Sequence, residues 1–176
     1  MKSEIIITDK QGHGFKNALE TTRKIAEDTH RSEKEAMRLQ HITDEMLSLV
    51  RSVTGENDMS FWIEYENGLY QFHLSTKTVM NLEKKANLVS STSSLENDAA
   101  KGLLGKLRDK YQNAILMSSD CPDSDPAVMD HDIYYCNLES AEWDKYERSI
   151  LRKVADEIRI GIRGGNVDMI ISKRFE

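Results

Sequence analysis

Asn67-Gly68 sits between two stretches in which every second residue is apolar: Phe61, Ile63 and Tyr65 before it, Tyr70, Phe72 and Leu74 after it. A two-residue hairpin turn needs positive φ at both positions, which Asn and Gly adopt at least cost, and a period of two is that of a strand with one buried face. The chain is therefore committed to an antiparallel pair over 59–66 and 69–76, and every other element must be placed against it. A second pair is predicted near the C-terminus, over 158–163 and 167–173, around Gly164-Gly165-Asn166. The β-branched run Ile5-Ile6-Ile7 within residues 3–8 supplies a further strand.

Between the strands the apolar spacing changes to three and four. Phe15, Ala18, Leu19, Thr22, Ile25 and Ala26 mark a helix to about residue 30. Ser32, with Glu35 three residues on, reads as a capping box opening a second helix to about Val53, stopped by Gly55. Its apolar stripe is Leu39, Ile42, Met46, Leu49, Val50 and Val53. Residues 79–89 read as a short helix and 90–94, four serines and a threonine, as a mobile loop. Asn97 or Asp98 caps a helix to about Leu116, with Leu103, Leu107, Tyr111 and Ala114 on its buried face. An acidic loop carrying Pro122 and Pro126 follows, and then an amphipathic helix over 139–157 with Trp143, Tyr146, Ile150 and Val154 turned inward. Together they form an inserted loop and helix at about 117–157.

Hairpins make antiparallel neighbours, and amphipathic helices need a sheet face to cover. The predicted fold is thus α+β: a two-layer α/β sandwich whose mixed, mainly antiparallel sheet carries helices on one face, in a single domain over 1–176. With 39% apolar and 31% charged residues the chain has the composition of an ordinary folded domain. Its net charge of -6 repels a phosphate backbone, and the basic group Lys106, Arg108 and Lys110 is broken by Asp109, so no nucleic-acid partner is expected. No apolar run approaches the roughly 20 residues of a membrane span, and Met1-Lys2-Ser3-Glu4 reads as no leader, so the cytoplasm is the expected compartment. No metal site is expected either. Cys121, Cys136 and His131 lack a Cys-x-x-Cys pair and a fourth zinc ligand, and Asp120, Asp123, Asp125, Asp130 and Asp132 do not follow EF-hand spacing.

The order and lengths of these elements resemble the anti-sigma-factor and serine-kinase branch of the GHKL (Bergerat-fold, histidine-kinase-type) ATPases. The resemblance covers roughly residues 1–116 and 158–176. Members of that family hold ATP with three short boxes. The first, Glu-x-x-x-Asn on the second helix, matches Glu45 to Leu49 here. Glu45 keeps the acid that would polarise an attacking water or hydroxyl. Leu49 replaces the magnesium-binding asparagine and has no oxygen for a hard cation. Ser48 has an oxygen but points roughly 100° away on a helix. The second box, Asp-x-Gly-x-Gly after the hairpin, is absent from Leu74-Ser75-Thr76-Lys77-Thr78-Val79-Met80, where Thr76 is the available acceptor for adenine. The third, a glycine-rich turn whose amides face phosphate, is similar to Lys101-Gly102-Leu103-Leu104-Gly105, with Lys101 assisting. At the start of the last strand Asn166-Val167 stands where the family often has a threonine.

The resemblance therefore implies a candidate ATP and magnesium site at Glu45, Ser48, Leu49, Thr76, Lys101, Gly102 and Gly105, with most of its ligating chemistry replaced. Each residue also has a plainer role: Glu45 as a surface helix acid, Gly102 and Gly105 as helix-start and close-packing glycines. Three functions follow. The first is a regulatory protein-binding domain resembling an anti-sigma factor, with a sigma factor or antagonist domain as partner and a homodimer as its form. The second is an ATP-dependent serine/threonine protein kinase using Glu45. The third is a small-anion-binding module at Gly102–Gly105.

Overall fold

The computed structural model describes residues 1–9, 13–55, 58–120 and 151–176. Five strands form one sheet in the order β1 (Ile6–Thr8), β2 (Met59–Glu66), β3 (Leu69–Lys77), β5 (Asn166–Arg174), β4 (Glu157–Arg163). All four pairings are antiparallel. Asn67 and Gly68 take φ 48 and 80, the two positive values the hairpin demands.

The alternation read in the sequence decides which face is buried. Phe61, Ile63, Tyr70, Phe72, Leu74, Val167, Met169 and Ile171 point into the core, joined by Ile158, Ile160 and Ile162. Helices α1 (Phe15–Asp28) and α2 (Glu33–Thr54) lie across this face. Both halves of the Ser32–Glu35 capping box are formed, and Gly55 ends α2 in the left-handed conformation. A buried Thr22–Thr43 hydrogen bond of 2.8 Å joins the two helices. The two-layer α/β sandwich is present, with its helices on one side of the sheet.

The second half of the helical layer departs from the expectations. Helix α3 (Leu82–Ser91) starts later than predicted because Asn81 caps it, its side chain accepting from the Lys84 backbone N–H at 2.8 Å. The segment 90–94 is not a mobile loop. Ser91 and Thr92 are buried, the Arg152 guanidinium donates to the carbonyls of Ser90 and Thr92 at 2.7 Å, and the Ser93 backbone N–H donates to Ile158 O. Small hydroxyl residues suit this packed junction as well as they suit a loop, so composition alone misleads. Asn97 caps a short 3-10 turn, Asp98–Ala100, rather than the long helix, and α4 (Leu103–Asp120) begins after it and runs beyond Leu116. The face of α4 expected to be buried is open: Leu107 is 67% and Tyr111 68% exposed, in line with Leu104 and Ile115. The helix packs instead through the side that carries Gly105, Asp109 and Asn113, because a polar network anchors that side.

The second hairpin turns at Gly164-Gly165, with Asn166 already in β5, and residues 151–154 are helical with Leu151 in the core. The acidic loop, both cysteines, His131, Trp143 and Tyr146 lie outside the described residues.

Candidate functional site

The three box segments have different fates. On α2 the side chain of Glu45 is half-buried, with His41 Nε2 3.8 Å from its carboxylate, one turn back on the same helix. Ser48 is half-buried on the neighbouring face. Leu49 is 3% exposed and belongs to the core cluster. At the position where the resemblance would put a magnesium ligand, an apolar side chain is packed among others and offers a hard cation no oxygen.

Residues 76–79, where the resemblance would place the second box, serve as a joint. Thr76, 6% exposed, spends its hydroxyl on the Asp58 carbonyl at 2.9 Å. Thr78 donates from its hydroxyl to Thr54 O at the end of α2 and from its backbone N–H to Gly165 O in the β4–β5 turn. A Cβ on Gly165 would sit 2.4 Å from Thr78 O, so the turn reaches this close only with glycine there. From α3, the Lys84 ammonium donates to Thr54 O, Thr78 Oγ1 and Val79 O at 2.8–3.2 Å. It neutralises the carbonyl end of α2 in the manner of a C-terminal cation.

In the third segment Lys101 is exposed and ion-paired with Asp98, and Gly102 is exposed at φ 91 with open space where a Cβ would stand. Gly105 has a steric task. A Cβ there would come within 2.9 Å of the Ala100 carbonyl carbon and 3.0 Å of the Ala99 carbonyl oxygen, so α4 lies on the 3-10 turn only because the side chain is missing.

A buried polar network centres on a lysine that sequence reasoning passed over. Lys85, buried on α3, donates to Asp109 at 2.7 Å and Asn113 at 2.5 Å on α4. Asn97 donates to the same Asp109 oxygen at 2.8 Å and to Ile162 O at 3.1 Å, and its Oδ1 accepts from the Ile162 and Ala99 backbone N–H groups. This network fixes α3, α4, the 3-10 turn and β4 to one another. A signal existed: Lys85 occupies the inward position three residues before Leu88 on a short helix, where an unpaired ammonium would be costly.

The face of the sheet that no described helix covers carries a second cluster. The Trp62 and His73 rings stack at 4.9 Å, Lys2 lies over Trp62 and pairs with Glu64 at 2.8 Å, and Glu64 is 3.8 Å from His73 Nε2. Burial pushes the His73 imidazole below its ordinary range and outweighs the pull of Glu64. The Glu64 carboxyl is held low, first by Lys2. His73 Nε2 and Arg159 Nε are buried without a hydrogen-bond partner among the described residues.

Open grooves indent the described surface. One lies between β1 and α1, another beside Leu104, Leu107 and Tyr111, and neither is lined by a candidate site residue. No group of metal-ligating side chains and no helix long and apolar enough to cross a membrane occurs among the described residues. The sequence matches no protein-family model and has no significant match among the curated proteins.

Proposed function

We propose that this chain is a regulatory protein-binding domain of the cytoplasm, built on a scaffold resembling an anti-sigma factor, in which the nucleotide site has been given up. One observation carries the reading. The side chains that would have to face ATP face the protein: Leu49 is in the core, Thr76 and Thr78 bind backbone carbonyls, and Lys101 is paired with Asp98. Binding a partner requires surface and rigidity but no hydrolysis, so the loss leaves that role intact. By the resemblance the partner is a sigma factor or its antagonist domain.

The test is thermal unfolding with ATP, with and without magnesium, on the wild type and on Gly102→Trp. A ligand specific for the folded state adds about 2.7 kcal/mol at a hundredfold excess over its dissociation constant. No saturable shift is expected at millimolar ATP. A magnesium-dependent, adenine-specific shift that Gly102→Trp abolishes would put the kinase reading first, with Glu45 as base. A shift with inorganic phosphate but not adenosine would put the anion-binding reading first.

A further inference from the structure

Helix α4 turns an apolar line outward. Leu104, Leu107 and Tyr111 are 82%, 67% and 68% exposed and recur at intervals of three and four, and Ile115, 47% exposed, continues the line. At about 100° per residue the four lie within an arc of about 80°. So narrow an arc is the seam that a single partner helix covers, whereas a helix lying on a core or a bilayer needs a wider one. The line cannot be taken into the molecule by a rotation of α4. Lys85 and Asn97 hold Asp109 on the opposite side of the helix, and Gly105 lies against the Ala99–Ala100 turn.

The charges beside the line have one sign. With Leu104 and Tyr111 at a and Leu107 at d of a heptad, Arg108 takes the e position and Lys110 the g position, where a helix meets the flanks of its partner. Both are exposed, and no carboxylate of a described residue pairs with either. Arg108 donates to the Ala99 carbonyl at 3.2 Å, a neutral acceptor that leaves its charge in place. The acid between them, Asp109, is spent inward on Lys85 at 2.7 Å. An apolar seam with cationic flanks is complemented by an apolar seam with anionic ones. It is not complemented by itself, since two copies of α4 would set Arg108 and Lys110 against the same cations. Nor does an anionic membrane suit a chain of net charge -6.

We propose that the outward face of α4 is the docking site for a helix of a partner protein, one that lays an apolar seam on Leu104, Leu107 and Tyr111 and sets Glu or Asp against Arg108 and Lys110. The site deepens the protein-binding reading, on which it rests, by giving it a surface and the chemistry of its occupant. Docking closes the open groove of about 630 Å³ beside these side chains.

Fluorescence anisotropy with a labelled peptide tests it. The probe carries about three heptads with leucine at a and d and glutamate at e and g, whose mutual repulsion keeps it monomeric. The wild type is expected to bind it saturably, more weakly as salt rises, and at least about tenfold more tightly than the same peptide with lysine at e and g. Leu107→Glu, which should stay folded by circular dichroism because the side chain is exposed, is expected to abolish binding. Arg108→Glu with Lys110→Glu is expected to reverse the preference toward the lysine peptide, an exchange that a merely structural role for either residue would not give. Equal affinity for both peptides, or binding of neither, overturns the proposal. So does attachment of the wild type to phosphatidylserine vesicles that Leu107→Glu abolishes, which would assign the face to a membrane. A wild-type dimer that Leu107→Glu dissolves would assign it to a second copy and overturn the proposal too. The ATP titration keeps the two readings apart. Failure of the peptide alone removes this face and leaves a protein partner to be sought elsewhere, while an adenine-specific shift removes the protein-binding reading itself.

Discussion

At one margin of the sheet the outward backbone groups of β4 are taken up by side chains. Ser93 Oγ accepts from the Ile158 N–H at 2.8 Å, while Asn97 offers its amide as a one-residue imitation of a neighbouring strand, receiving from Ile162 N–H and giving to Ile162 O. At the other margin β1 is three residues long and ends where Gly14 closes over the Ile7 carbonyl, 2.3 Å from where a Cβ would sit. Both solutions limit uncontrolled pairing, one by satisfying the edge and the other by shortening it. They differ in the means. At β4 the block is made by side-chain hydrogen bonds, and at β1 by the close approach of the Gly14 backbone and the brevity of the strand. The difference shows that edge protection in this molecule is local, written into particular side chains rather than into the sheet.

The strongest way to break the contrast is Asn97→Ala. It strands the Ile162 N–H and C=O and removes one donor from the Asp109 carboxylate that also holds Lys85. Leaving several buried polar groups unpaired is expected to cost about 3–5 kcal/mol in urea unfolding, with aggregation of the exposed β4 edge. A loss below about 1 kcal/mol would mean that β4 does not need its seal. Ser93→Ala removes a single acceptor from the same edge and should cost about 1–2 kcal/mol.

These two residues also mark where the sequence stops being legible. The hairpin at Asn67-Gly68, the capping box at Ser32 and the stop at Gly55 depend on residues within a turn of each other, and each is found as read. Ser93 and Asn97 act across 65 positions of sequence, on Ile158 and Ile162, and no local pattern encodes that reach. The same holds for α4. Its apolar spacing pointed Leu107 and Tyr111 inward, but the long-range pairing of Asp109 with Lys85 rotates the helix so that they face out. In the candidate site, the departures from the family's boxes at Leu49 and Thr76 were legible because the expected residue type is absent there. Close packing at Gly105 was legible as the plainer of its two roles, but its partner, the Ala99–Ala100 turn, was not, and neither was the duty of Gly165, since a glycine carries no sign of what will press against it.

Acid sharpens the comparison by acting on both margins through different groups. His73, on the face that no described helix covers, is held below its ordinary range by burial, so above that range both states are neutral and nothing is lost. As pH falls below about 6.5 the unfolded chain takes up a proton that the folded one resists, and stability declines until the folded imidazole itself titrates. His73→Gln should flatten this window in unfolding midpoints measured from pH 7 to 5. Further down, the carboxylates follow. Glu64 near the β1 margin is lowered first by Lys2, and at the start of β4 the Lys173 ammonium and the Arg174 backbone N–H outweigh burial and lower Asp156. With folded values below unfolded ones, each stabilises at neutral pH and loses that contribution as pH falls through its folded value. Asp156→Asn should remove part of the lower window and leave the upper one in place, while Glu64→Gln should also widen the upper one, because it removes the carboxylate that pulls the His73 imidazole back up. An upper window unchanged by His73→Gln would assign it to another group.

The smallest effect expected is the most telling about the edge. Ile7→Lys touches no buried side chain, because Ile7 is 62% exposed. Its unfolding free energy in urea should match the wild type within about 0.5 kcal/mol, as surface changes usually do. A variant that loses more than about 1 kcal/mol would show that Ile7 contributes to the packing of this margin, where the Gly14 backbone already presses on its carbonyl. The two margins would then resemble each other more than their hydrogen bonds suggest.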